Sequence, residues 1–200
     1  MKIAQLIEEA LQRSYSYTEY KDLIHLLFAE GKTTGLTQNE AFLGYTELGI
    51  RRMKRWDKTA KISLEHLEHI KKIGTAQTWI VITEAWCGDA AHALPIISKL
   101  AEANPLIDFR IVLRDENEAL MDTFLTDGKK SIAKMIAYQP KEQEVLFTWG
   151  PRPKGATTLF EEARARDGKI TTEVKEALQM WFNKDKGKQI AEEVVRLAKN

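Results

Sequence analysis

Residues 79–95 read WIVITEAWCGDAAHALP, and this stretch decides how the chain folds. Trp79 to Ala85, apolar except for Thr83 and Glu84, has the pattern of a strand covered on both faces. From Cys87 to about Ala103 the apolar residues recur at helical spacing, so the strand runs into a helix with a cysteine at the junction. A thiol at a helix N-terminus is stabilised as thiolate by the free backbone N–H groups there, which makes the junction a candidate site of sulfur chemistry. Cys87 is the only cysteine in the chain, so no intramolecular disulfide forms and no second sulfur can resolve a mixed disulfide.

Outward from this junction the pattern alternates. A strand over Ile107 to Leu113 follows, then a helix opened by the Asp115 to Asn117 cluster and closed near Gly128, which completes a βαβ unit. Strands over Ala133 to Tyr138 and Glu144 to Trp149, separated by the polar loop QPKEQ, suit a hairpin. The loop GPRPKG leads into a helix over Ala156 to Arg166, and a final helical region, Thr172 to Lys199, is interrupted at Lys186 and Gly187. Upstream, Ile3 to Leu11 and Tyr17 to Phe28 are helical, and GKTTG, residues 31–35, breaks the pattern. Asn39 is positioned to cap a helix carrying Phe42, Tyr45, Gly49, Met53 and Trp56 on one stripe, and a further helix runs from Ser63 to Ile73.

Trp86-Cys87-Gly88 closes the first strand, Pro95 stands eight residues after the cysteine, and Ser131-Ile132-Ala133 precedes a later strand. This order resembles the thioredoxin family, which carries Trp-Cys-Gly-Pro-Cys, a helix-kinking proline at that offset and Gly-Ile-Pro before the equivalent strand. It is most similar to bacterial thioredoxin-like proteins with Trp-Cys-Gly-Asp-Ala, Arg-Asp-Glu-Asn and Trp-Gly-Pro-Arg-Pro motifs, here Trp86 to Ala90, Arg114 to Asn117 and Trp149 to Pro153. The resemblance implies an α/β fold with a central mixed sheet and flanking helices. The core is expected over residues 63–166, with helical extensions over 1–62 and 167–200 folded into the same unit.

The resemblance also implies a site. Cys87 takes the catalytic position, and Trp86, Gly88, Asp89, Ile132 and Ala133 border the substrate groove. Four departures remove parts of a dithiol mechanism: Ala90 stands for the second cysteine, Asp89 for the motif proline, Ala133 for the cis-proline, and Val81 for the buried aspartate six residues before the cysteine. Two readings follow. One is a monothiol thiol-disulfide oxidoreductase that needs glutathione or another low-molecular-weight thiol as co-substrate, acting on a protein or peptide partner. The other is a non-catalytic thioredoxin-fold protein that binds a peptide or protein. Because a cis bond before alanine costs ~3 kcal/mol, the Ile132–Ala133 bond is expected to be trans.

The charges near the sulfur pull in opposite directions. The helix terminus favours a thiolate, whereas Glu84 and Asp89 disfavour it. The spacing leaves His92 facing solvent, Glu84 as a loop partner for an arginine, and Ser131 as a turn residue with no histidine to activate it.

The remaining features narrow the class. With 30 basic and 29 acidic residues there is no global field toward nucleic acid, and no segment reaches the roughly 18 apolar residues of a membrane span. The basic run at Arg51, Arg52, Lys54, Arg55, Lys58 and Lys61 reads as the wet face of a helix, with one or two arginines turned inward. His66-x-x-His69 lacks a third ligand, so no metal is expected, and the Cys-Gly-Phe-Ser motif of cluster-binding monothiol glutaredoxins is absent. A single cysteine and an acid-bearing start, MKIAQLIEEALQRSY, predict the reducing cytoplasm. Oligomeric state is left open.

Overall fold

A computed structural model describes residues 2–199 of the protein. Four strands, β1 (Gln77–Thr83), β2 (Ile107–Leu113), β3 (Lys134–Gln139) and β4 (Glu144–Trp149), form one sheet in the order β2-β1-β3-β4. β1 pairs in parallel with β2 and antiparallel with β3, and β3 and β4 form the hairpin that the QPKEQ spacing predicts. All seven residues of β1 are buried, which is why its centre, Trp79 to Ile82, is continuously apolar instead of alternating. The helices are α1 (Ile3–Leu11), α2 (Tyr17–Ala29), α3 (Glu40–Thr59), α4 (Leu64–Lys71), α5 (Ala90–Ala101), α6 (Glu118–Thr123), α7 (Lys154–Asp167), α8 (Thr172–Asp185) and α9 (Lys188–Ala198). The chain is an α/β protein with a central mixed sheet and flanking helices.

The ends of these elements follow local chemistry. Asn39 caps α3 by accepting from Phe42 N–H at 2.8 Å, and Ser16 and Glu19 form a reciprocal capping box at α2. The helix after β2 stops at Thr123, short of the expected end near Gly128, because Asp127 (φ 49°) and Gly128 (φ 71°) make a tight turn bridging Thr126 to Lys129. α5 begins at Ala90 instead of Cys87, since residues 85–89 are taken up by turns.

α5 lies at the centre of the molecule and is buried along almost its whole length. α3 approaches it closely at Gly49, where an added Cβ would stand 3.8 Å from Ala91 Cβ and 3.2 Å from Ala85 O. The terminal helices feed the same core: Ile7 and Ala10 from α1, Tyr20 and Ile24 from α2, and Ile190, Val194 and Val195 from α9 are all buried. Each large apolar side chain so enclosed contributes roughly 1.5–3 kcal/mol. The N-terminal segment also protects the outer edge of the sheet, because Tyr15 exchanges two backbone hydrogen bonds of 2.8 Å with Ile111 of β2.

α9 is tied to α7 by polar contacts as well. Glu193 accepts from Lys154 N–H at 2.8 Å and from Trp149 Nε1–H at 2.7 Å, and Gln189 accepts from Gly155 N–H at 2.6 Å. These side chains satisfy the free N–H groups of a helix whose own N-cap is Pro153, a residue without a capping side chain. The α8–α9 corner turns on Lys186 (φ 60°) and Gly187 (φ 77°), and a Cβ on Gly187 would collide with Ile96 Cδ1 and stand 2.8 Å from Ile96 Cγ1. Gly187→Ala is expected to lower stability by about 2 kcal/mol through the positive φ and overpacking against α5. A urea midpoint equal to wild type would contradict this packing of α9.

Candidate functional site

Cys87 sits in the turn between β1 and α5, 6% exposed. Its thiol donates to Ile132 O at 3.3 Å, and Ala90 N–H donates to its sulfur at 3.4 Å. Burial, reinforced by the Asp89 charge, pushes the thiol pKa up to about 12, and the helix-end N–H groups offset only part of that. The competition that the sequence leaves open is therefore settled by desolvation, and the group is a neutral thiol at physiological pH.

Asp89 lies beside it with its side chain 15% exposed, paired with Arg152 Nε at 2.8 Å. The N–H does not aim along this contact, so it is an ion pair more than a directed hydrogen bond. Burial raises the Asp89 pKa, opposed by Arg152 and then Arg52. The guanidinium of Arg152 also stacks over Phe160 at 4.0 Å. Arg52 is the arginine of the basic run that turns inward, while Arg51, Lys54, Arg55, Lys58 and Lys61 stay exposed. Its Nη1 lies over Gly88, 3.1 Å from where a Cβ would be, and its buried Nε has no hydrogen-bond partner.

On the opposite side, Trp86 is held between Phe42, stacked at 4.6 Å, and Arg114, 4.9 Å from the ring centroid. Arg114 donates to Asp115 at 2.8 Å, and Asp115 accepts from Leu36 N–H at 3.0 Å. The GKTTG segment, read from sequence as a mere break, is thus a structured loop. Thr33 and Thr34 are buried, and Thr34 Oγ1 accepts from Ala85 N–H at 2.7 Å. Glu84 differs from its expected role: it is fully buried, its Oε1 accepts from Asp115 N–H at 2.9 Å, and burial raises its pKa.

Two further expectations are corrected. His92 is buried, not solvent-facing. Its Nδ1 accepts from Trp56 Nε1–H at 2.8 Å, and its ring stacks on Phe182 at 4.0 Å. The reason is that α3 and α8 cover the face of α5 that would otherwise meet water. Desolvation, then Arg52, lowers its pKa to about 3, so the ring is neutral. The Ile132–Ala133 bond is cis, not trans, and Gly150–Pro151 is cis as well. The two segments abut, since a Cβ on Gly150 would overlap Ala133 O, and the Cys87 thiol occupies Ile132 O.

Trp86, Cys87, Gly88, Asp89 and Ile132 border one pocket of about 400 Å³, so five of the six residues singled out in sequence converge. Ala133 does not line it and is fully enclosed. The remaining walls come from α3, α7 and α8, including Phe42, Arg52, Phe160, Leu178 and Phe182, none of which the motif pattern marks as site residues. Among the described residues, no group of three or more His, Cys, Asp or Glu side chains is placed to hold a metal. No described helix is long and apolar enough to cross a membrane.

A sheet of this order, with a cysteine turn leading into a buried proline-containing helix, defines a thioredoxin-fold protein with a single-cysteine site. The chain belongs to the thioredoxin family, whose model, described as Thioredoxin, matches residues 35–164. Among solved structures it is similar to a protein of unknown function from Pseudomonas aeruginosa, 17% identical with a TM-score of 0.56, over 92% of this chain and 97% of that one. It is also similar to an HIV epitope scaffold, 16% identical with a TM-score of 0.54, over 92% of this chain and 98% of that one. These likenesses concern the fold alone, and they extend beyond 35–164 into the terminal helices. No curated protein matches the chain.

Two measurements probe this geometry. A depressed histidine pKa contributes stability that is present above about pH 6.5 and lost as pH falls toward about 3. Wild type should therefore lose more stability over that window than His92→Gln, by on the order of a few kcal/mol in urea midpoints, and parallel profiles would contradict a buried neutral imidazole. Arg152→Met should cost about 3 kcal/mol by depriving the buried Asp89 of its closest cation, and the Asp89→Asn, Arg152→Met double variant should recover a large part of it.

Proposed function

We propose that the protein is a non-catalytic thioredoxin-fold binding protein, in which the cysteine turn forms the floor of a binding pocket instead of a redox centre. The observation that carries this reading is the state of the Cys87 thiol: buried, hydrogen-bonded to Ile132 O, and with its pKa raised to about 12. Disulfide exchange needs a thiolate with access to the partner sulfur, and both requirements go unmet in this arrangement. Ala90 supplies no second sulfur, and Val81 lies in the apolar core where a dithiol enzyme would keep an acid. The pocket beside the cysteine supports a binding role, because α3, α7 and α8 enclose it with apolar side chains around a few charged ones. Enclosure on these sides favours a compact ligand or a single inserted side chain over a long extended peptide.

The monothiol reading keeps one support, the Ala90 N–H aimed at the sulfur, which would stabilise a thiolate once solvent reached it. In that case an external thiol such as glutathione would have to complete the cycle. The two readings separate by reactivity. Under the binding reading, native Cys87 alkylates with iodoacetamide at pH 7.5 at least ~100-fold more slowly than a free thiol, reaches the free rate in guanidinium, and takes up no glutathione from oxidised glutathione. Rapid native alkylation, or a single glutathione adduct abolished by Cys87→Ser, would sink the binding reading and leave the monothiol one.

A further inference from the structure

We propose that the pocket beside Cys87 binds a small carboxylate with an apolar body, its headgroup held by Arg52, an assignment that rests on the non-catalytic reading of the site. The volume of about 400 Å³ falls within the ~300–1,000 Å³ of small-molecule sites. Its walls suit an apolar body: the Phe42–Trp86 stack on one side, Phe160 and Leu178 on another, and the Phe182 ring that backs onto His92. Dispersion and burial against such walls are non-directional, so they select for size and apolarity without fixing a chain or a ring.

The headgroup follows from charge. Three cations, Arg52, Arg152 and Lys175, and one anion, Asp89, line the pocket, a surplus of two positive charges. Asp89 and Arg152 neutralise each other at 2.8 Å. Lys175 is exposed at the rim, with its ammonium 2.8 Å from Tyr45 OH. Arg52 is left. It is partly buried over Gly88, its buried Nε lacks a partner, and the carboxylate whose charge reaches it is already engaged by Arg152. A desolvated guanidinium without its own carboxylate is costly, and its planar fork matches a carboxylate in bidentate geometry. A neutral floor completes the complementarity: the Cys87 proton is held by Ile132 O and the His92 ring is uncharged. A thiolate there would repel the ligand; a thiol does not.

Isothermal titration calorimetry on the full chain tests this with two matched probe pairs, octanoate against 1-octanol and 2-naphthylacetate against 2-naphthylethanol. At least one acid should bind at one site per chain, at least about tenfold more tightly than its alcohol. Arg52→Met, checked for native circular dichroism and urea midpoint, should erase the preference for the acid while leaving the alcohol's affinity unchanged, and Arg52→Lys should restore part of it. Leu178→Trp, which fills the cavity from α8, should abolish binding of both. The proposal is overturned if neither acid binds, if acid and alcohol bind alike, or if Arg52→Met changes nothing. An acetylated and amidated apolar hexapeptide that binds as tightly, indifferent to Arg52, would also overturn it in favour of a peptide groove. Iodoacetamide reactivity of Cys87 in the same samples keeps the two levels apart. Fast alkylation removes the underlying reading, whereas an inert thiol with no acid binding removes only the ligand assignment.

Discussion

The ion pair between Asp89 and Arg152 organises the site. It joins the turn before α5 to the loop after β4, two segments more than sixty residues apart in sequence that meet only because β3 lies between β1 and β4. Both side chains are largely buried, so neither charge tolerates the loss of the other, and a partnerless buried charge costs several kcal/mol. The pair sets the position of Arg152 over Phe160 and therefore one wall of the pocket. It also occupies the carboxylate that Arg52 would otherwise use, which leaves the site with unbalanced positive charge.

The same turn holds the Cys87 thiol buried and with a raised pKa despite its place near a helix N-terminus. In this fold the helix N-terminus pulls the thiol toward ionisation, but that pull is worth a fraction of the cost of burying a thiolate. Here α3 and α8 help to wall the pocket in which the cysteine lies. α3 brings Phe42 and Arg52 over the turn, and α8 brings Leu178 and Phe182.

The motifs that mark the sequence have a shared structural purpose. Arg114 and Asp115 anchor the loop at residues 33–36 and clamp Trp86, Gly150 packs on Ala133, and Arg152 meets Asp89. Each motif holds a wall of one pocket, which accounts for several of these positions without invoking catalysis. Gly150 in particular has a positive φ of 111° and no room for a side chain, so the residue type is dictated by backbone approach.

Strand and helix order, the hairpin, the cap at Asn39 and the inward turn of one or two arginines in a basic run were all legible from periodicity and local chemistry, because those signals act over a few residues. The absence of a second sulfur was equally plain. What the sequence could not specify was environment. His92 sits on a helix whose own pattern leaves it at the surface, and only the arrival of α3 and α8 from distant segments encloses it. The cis bond before Ala133, the burial of Glu84 against Asp115 and the enclosure of Cys87 are likewise products of long-range packing. The chain by itself therefore determined which groups are present at the turn after β1, while the tertiary structure decided their charge. Ionisation depends on desolvation and on neighbours in space, and neither is a property of sequence spacing.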